Sequence, residues 1–178
     1  LQTNLIIGPV ALIKQWEQEV KKKLKGTHKM SVYLLHQKRT AYSELKKYDV
    51  VLTTYGSLAS EWKRYNQHVD QRKESSQYRE ETDMELARKC PLLHRGSKFY
   101  RIILDEAQCI KNKETQGSRA AHHLIATYRW CLTGTPMMNN VSELYPLIRF
   151  LKIRPYCDFK MFQKVGDQCN PDLNNVPI

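Results

Sequence analysis

Short aliphatic runs alternate with helix-spaced apolar repeats along most of the chain. The run "NLIIGPV" closes at Gly8-Pro9, and the segment after it sets Leu12, Trp16, Val20 and Leu24 four apart. That spacing predicts a buried strand, a turn and an amphipathic helix ended by Gly26. "SVYLLH" (31–36) predicts a second strand, "TAYSELKKY" (40–48) a short helix, and "DVVLTTYGSL" (49–58) a third strand entering a polar turn. Later come a strand "FYRIILD" (99–105), a helix "TQGSRAAHHLIAT" (115–127), a strand "YRWCLTG" (128–134) and a helix "VSELYPLIRFL" (141–151). Asn139, Asn140 and Ser142 offer N-cap chemistry to that last helix, and "YCDFKMFQKV" (156–165) predicts one more. From Trp62 to Lys98 the pattern breaks: over the seventeen residues 67–83 only Val69 and Tyr78 are apolar. This composition predicts a polar surface insertion, partly helical or disordered.

Near-continuous aliphatic strands, each followed by a helix, predict an α/β fold, a three-layer parallel sheet with helices on both faces. Its expected divisions are 1–61, the insertion 62–98, the continuation 99–165 and a tail or linker 166–178. Ligands of such sheets bind beyond the carboxyl ends of the strands. Four polar strand ends therefore matter: Gly8-Pro9, Thr53-Thr54-Tyr55-Gly56, Asp105-Glu106-Ala107-Gln108 and Thr133-Gly134-Thr135-Pro136. All four are expected on one rim. Singly, a Thr-Thr or Gly-Pro is ordinary turn chemistry; it is the combination that marks a site.

Charge narrows the partner. The 178 residues carry 29 Lys and Arg against 18 Asp and Glu, a net +11, which favours an anionic partner such as nucleic acid. The excess gathers at Lys21–Lys29, where a solvated helix face is the competing reading and "KKKLK" also fits a nuclear import signal. Five cysteines without a C-x-x-C pair indicate neither a disulfide framework nor a zinc site, and suggest a reducing, intracellular compartment. No apolar stretch nears the roughly 20 residues of a membrane span, so no membrane partner is expected. A start at "LQTNLIIGP", without Met, suggests an excerpt of a longer chain.

The pair Asp105-Glu106, delivered by an aliphatic strand, suits nucleotide hydrolysis. The Asp would hold Mg2+, because a hard dication that bridges phosphates takes oxygen ligands. The Glu beside it would orient and deprotonate water, and alternation at the strand end keeps the two carboxylates apart. The competing reading is two acids that cap the next helix.

Four segments resemble, in order and spacing, the motifs of SWI/SNF-like ATPases of helicase superfamily two. "LIIGPVALIKQWEQEV" resembles motif Ia, "VVLTTYGSL" motif Ib, "IILDEAQCIKN" motif II and "RWCLTGTPMMNNVSELYPLIRFL" motif III with its following helix. The resemblance covers 4–60 and 98–163, and the wording "RWCLTGTP" with "ELYPLIRFLKIRPY" is similar to the helicase-like transcription factor and yeast Rad-type branch. It implies a RecA-like lobe, here without its first strand and P-loop, that couples ATP hydrolysis to tracking along double-stranded DNA. ATP and Mg2+ are the implied cofactors. Asp105 becomes the Mg2+ residue and Glu106 the hydrolytic acid. Gln108 links them to Thr133, Gly134 and Thr135, which couple hydrolysis to DNA movement and complete the expected nucleotide-side set. Pro9, Lys14, Gln15, Thr53, Thr54 and Tyr55 are implied near DNA. Trp16 lies among them, although its spacing with Leu12 and Val20 fits core packing better. Such contacts hold phosphates without reading bases. The implied partners are double-stranded DNA, nucleosomes, a second RecA-like lobe with its arginine finger and a downstream RING domain, in the nucleus, in chromatin remodelling or DNA repair.

Two departures stand beside this. None of the seven glycines precedes a Lys, so the phosphate cradle G-x-x-x-x-G-K-[ST] does not occur, and the resemblance places it upstream of motif Ia. Motif III has Met137-Met138 where the family usually has Gln two residues after the Pro. A chain without the cradle is expected to be inactive alone. It also admits a second reading, a truncated non-catalytic paralogue that binds DNA or chromatin. His122 and His123 read as ordinary helix residues.

Overall fold

The computed structural model describes residues 2–24, 26, 29–36, 40–74, 80–137 and 141–169. Five strands form one parallel sheet: β1 (Asn4–Gly8), β2 (Val32–Leu34), β3 (Val50–Thr54), β4 (Lys98–Asp105) and β5 (Ile125–Leu132), in the order β2-β3-β1-β4-β5. The register brings their ends level, Gly8 beside Thr54, Ile7 beside Leu104 and Asp105 beside Leu132. The expected rim of polar strand ends therefore exists.

Helices cover both faces, because β1 and β3 are apolar on both sides. On one face α1 (Val10–Lys23) inserts Ile13 against Ile6, Val50 and Leu52. On the other, α3 (Tyr55–Glu74), α5 (Gln116–His123) and α6 (Tyr145–Leu151) close over the larger core, whose fully buried members include Leu5, Leu58, Phe99, Ile102, Leu104 and Phe150. Each such side chain contributes about 1.5–3 kcal/mol relative to exposure. A single turn, α2 (Tyr42–Leu45), buries Leu45, and α7 (Phe159–Cys169) follows α6.

Several boundaries differ from expectation for identifiable reasons. β3 stops at Thr54 and a helix starts at once, where a turn was expected. Thr54 is the cap: its Oγ1 accepts the Ser57 N–H at 3.1 Å and donates to Ser57 Oγ at 3.0 Å. The helix expected over 115–127 is capped by Thr115 Oγ1 but ends at His123, since Ile125 and Ala126 pair with Lys98 and Phe99 in the sheet. Val141–Leu144 form a 3-10 turn, and the α-helix begins at Tyr145 with Pro146 in its first turn, where the missing N–H costs nothing. α7 continues past Val165 to Cys169. Met138, Asn139 and Asn140 lie outside the described residues.

The reading of 62–98 as a surface insertion needs correction. α3 runs through it to Glu74, a further helix, α4, spans Glu80–Lys89, and Leu86, Cys90, Leu92 and Leu93 join the main core. Glu61, only 3% exposed, accepts the backbone N–H groups of Leu92 at 2.7 Å and Leu93 at 3.0 Å, which fastens the end of the stretch to α3. The average polarity of the stretch conceals Leu86, on the inner side of α4, and Cys90, four residues on and just past the helix end.

Candidate functional site

β4 carries Asp105 to the rim, and the backbone turns sharply there, with Glu106 in the left-handed region at φ 50°. Asp105 is held from three directions. Its Oδ1 accepts the Glu106 N–H at 3.0 Å, its Oδ2 accepts the Trp16 indole N–H at 2.7 Å, and its carbonyl accepts the Tyr55 hydroxyl at 2.9 Å. Trp16 thus packs against the α1-side core, as its spacing predicts, and also aims a donor at the site. Burial above all raises the Tyr55 phenol pKa, with Cys109, Cys131, Asp105 and Glu106 adding to it, so Tyr55 stays protonated as a donor.

Glu106 and the β5 rim are joined by a chain of hydrogen bonds. The Gln108 amide donates to Glu106 Oε2, Thr133 Oγ1 donates to Gln108 Oε1 at 2.6 Å, and the Thr135 N–H donates to Thr133 Oγ1 at 3.2 Å. Gly134 has open space around it. A second brace was not foreseen: Lys111 Nζ pairs with Glu143 Oε2 at 3.1 Å, tying the loop after Asp105-Glu106 to the 3-10 turn before α6.

The residues expected near DNA divide differently. Lys14 and Gln15 are exposed on α1, and the Pro9 carbonyl accepts the Leu12 and Ile13 N–H groups at the helix start. Thr53, Thr54 and Tyr55 turn inward. Thr53 is fully buried and donates to the Leu35 carbonyl at 2.8 Å, Thr54 caps α3, and Tyr55 bonds Asp105. Thr53 and Thr54 also border the cavity of about 530 Å3 beyond β3, together with a set the sequence reading missed: Ser57, Ser60 and Arg64 from α3, and Arg88 and Lys89 from α4. Their signal was present, since 57, 60 and 64 follow helical spacing on one face. The Arg64 Nε is buried without a hydrogen-bond partner among the described residues. A second cavity of about 510 Å3, lined by Gln15, Trp16, Glu19 and Lys23, borders Asp105.

Among the described residues no group of three His, Cys, Asp or Glu could cage a metal ion. The site fits a dication held through one protein carboxylate: among the described residues each Asp105 carboxylate oxygen receives a single donor and keeps a lone pair. No described helix is long and apolar enough to cross a membrane.

A five-stranded parallel sheet covered by helices on both faces, with its polar strand ends on one rim, has the architecture of a RecA-like lobe. The family profile described as SNF2-related domain matches residues 2–172, and the chain belongs to that family. It is 39% identical over 170 residues to an uncharacterised ATP-dependent helicase of Schizosaccharomyces pombe, covering 92% of this chain and 15% of that protein. It is 35% identical to the ATP-dependent helicase ULS1 of Saccharomyces cerevisiae (87% and 10% covered) and 38% identical to the DNA repair protein RAD5A of Arabidopsis thaliana (91% and 14%). The chain thus spans 10–15% of the length of these relatives. Among solved structures, the Sulfolobus solfataricus SWI2/SNF2 ATPase core in complex with dsDNA aligns with a TM-score of 0.58 at 28% identity, over 97% of this chain and 31% of that one.

Proposed function

We propose that this chain is the central part of the first lobe of an ATP-driven double-stranded DNA translocase. The observation that carries the reading is the hydrogen-bond chain from Glu106 through Gln108 to Thr133, because it couples a water-activating carboxylate to a neighbouring rim segment. In this reading Asp105 holds Mg2+, which neutralises phosphate charge when bound with ATP. Glu106 orients and deprotonates water, and Gln108 sets its position. Trp16 and Tyr55 fix Asp105. Lys14, Gln15, Ser57, Ser60, Arg64 and Arg88 follow the DNA backbone, and Thr53 and Thr54 support them from behind.

The phosphate cradle has to come from another segment of the same protein. β5 offers a place for its strand: Tyr128 and Trp130 are each 49% exposed on the outer strand of the described sheet. A second RecA-like lobe supplies the arginine finger, a RING domain downstream of motif III is consistent with the Rad-type resemblance, and this chain alone is inactive. The DNA repair name of one relative supports a nuclear setting in repair or chromatin remodelling, with nucleosomes among the substrates. In the intact protein, Glu106→Gln is expected to lower DNA-stimulated ATP hydrolysis about 100-fold or more while ATP still binds. Unchanged turnover would refute the assignment, and a wild-type protein that binds DNA without any ATP hydrolysis would establish the non-catalytic paralogue instead.

A further inference from the structure

A third cavity, about 400 Å3, opens between α3, α5 and α6 and shares no lining residue with the two rim cavities. Lys113, Arg119, His122, His123 and Arg149 line it against one carboxylate, Glu114. Three of the five basic groups are already engaged. Arg119 pairs with Glu114, the Lys113 ammonium lies 4.7 Å from the centre of the Phe159 ring, and His123 sits against the rings of Trp62 and Tyr65, at 5.2 and 4.7 Å. Two remain. Arg149 pairs with no carboxylate among the described residues. His122 has both ring nitrogens buried without a hydrogen-bond partner among them. A buried imidazole with neither nitrogen satisfied is an uncompensated cost that a polar ligand would remove.

We propose that this pocket receives one carboxylate side chain of an acidic polypeptide partner, with the Arg149 guanidinium as counter-charge and the His122 ring as second donor. The chemistry favours a carboxylate, since a guanidinium fork matches its two oxygens. Trp62 supplies an apolar wall for the stem of such a side chain. Duplex DNA fits less well: it presents a charge about every 1.7 Å of axis and needs a row of cations, whereas this pocket leaves one guanidinium and one imidazole unengaged.

The pocket also makes binding pH-dependent. Burial first, then the positive charges of Arg149 and Arg129, keep His122 neutral, and Lys113, Arg119, Glu114 and His123 complete its charged surroundings. A bound carboxylate opposes those cations and raises the ring's pKa from about 4, so affinity rises as pH falls from about 7 towards 5.

The test uses the intact protein and fluorescein-labelled octaglutamate, with octaglutamine as control, followed by anisotropy. Arg149→Gln is expected to weaken octaglutamate binding at least tenfold, and Arg149→Lys to restore part of it. His122→Gln is expected to keep the pH 8 affinity and lose the gain at pH 5. Wild-type affinity in Arg149→Gln, or no binding by the wild-type protein, overturns the proposal. So does equal weakening of duplex DNA and octaglutamate by Arg149→Gln, which would assign the pocket to the nucleic-acid path. Should Arg149→Gln fail to fold, the His122→Gln pH profile decides.

Discussion

Thr133 donates its hydroxyl to Gln108 Oε1 at 2.6 Å, and the amide of the same Gln108 donates to Glu106. The Gln108 amide cannot flip without losing both bonds, so the direction of the Glu106 carboxylate depends on where the loop after β5 sits. Thr133→Val keeps the side-chain shape and removes the donor. In the intact protein this change is expected to leave ATP affinity within about twofold and to lower the DNA-stimulated rate about tenfold, the worth of roughly one hydrogen bond. Phosphate release with and without duplex DNA measures both; a stimulated rate equal to wild type would show that the relay is idle.

How far the sequence led can be argued from single residues. The strand-end rim was legible because aliphatic runs of period-free hydrophobicity mark parallel strands, and Asp105 terminates one of them. The Gln108 link was legible only through family resemblance, since no spacing rule joins residues 25 apart. The internal bonds of Thr53, Thr54 and Tyr55 were not legible, because a hydroxyl at a strand end serves equally as a cap, a backbone donor or a ligand contact. Arg64 and Arg88 were hidden in a stretch whose mean polarity resembled an insertion, although Leu86 and Cys90 at helical spacing pointed to burial.

Trp16 and Asp105 lie 89 residues apart in sequence, joined by one hydrogen bond from indole to carboxylate at 2.7 Å. A double-mutant cycle of Trp16→Phe and Asp105→Ala isolates it. The expected coupling is about 1.5–3 kcal/mol in urea unfolding, as for other hydrogen bonds to charged acceptors. Additive effects would mean that Trp16 contributes packing alone.

The cations beyond β3 predict a salt signature. If Arg64 and Arg88 each meet one phosphate, Arg64→Gln and Arg88→Gln should each reduce the slope of log affinity against log salt by about 0.9 for duplex DNA, whatever its sequence. Lys21→Gln serves as control, since Lys21 already pairs with Glu17 at 2.7 Å on the solvent face of α1. Duplex titrations at several salt concentrations would separate them, and a slope unaltered in both arginine variants would remove these residues from the DNA path.

Glu61 and His122 pull stability in opposite directions with pH. Burial pushes the Glu61 carboxyl up to about 7, against the lowering effect of the Leu92 and Leu93 N–H groups and of Arg64. The folded chain therefore holds that proton longer than the unfolded chain, and the stabilisation present below about pH 4.5 is lost as pH rises to 7, amounting to about 3 kcal/mol. His122, lowered to about 4 by burial and by Arg149 and Arg129, acts the other way: the unfolded chain takes up its proton first, so stability falls as pH drops from 6.5 towards 4. The two slopes largely cancel between pH 4.5 and 6.5. Glu61→Gln retains an acceptor for Leu92 and Leu93 and removes one slope. Urea denaturation should then show the variant more stable than wild type at pH 8, the difference closing by pH 5, with a steeper loss towards acid pH left by His122. A difference that stays constant from pH 5 to 8 would mean that Glu61 is not protonated in the folded protein.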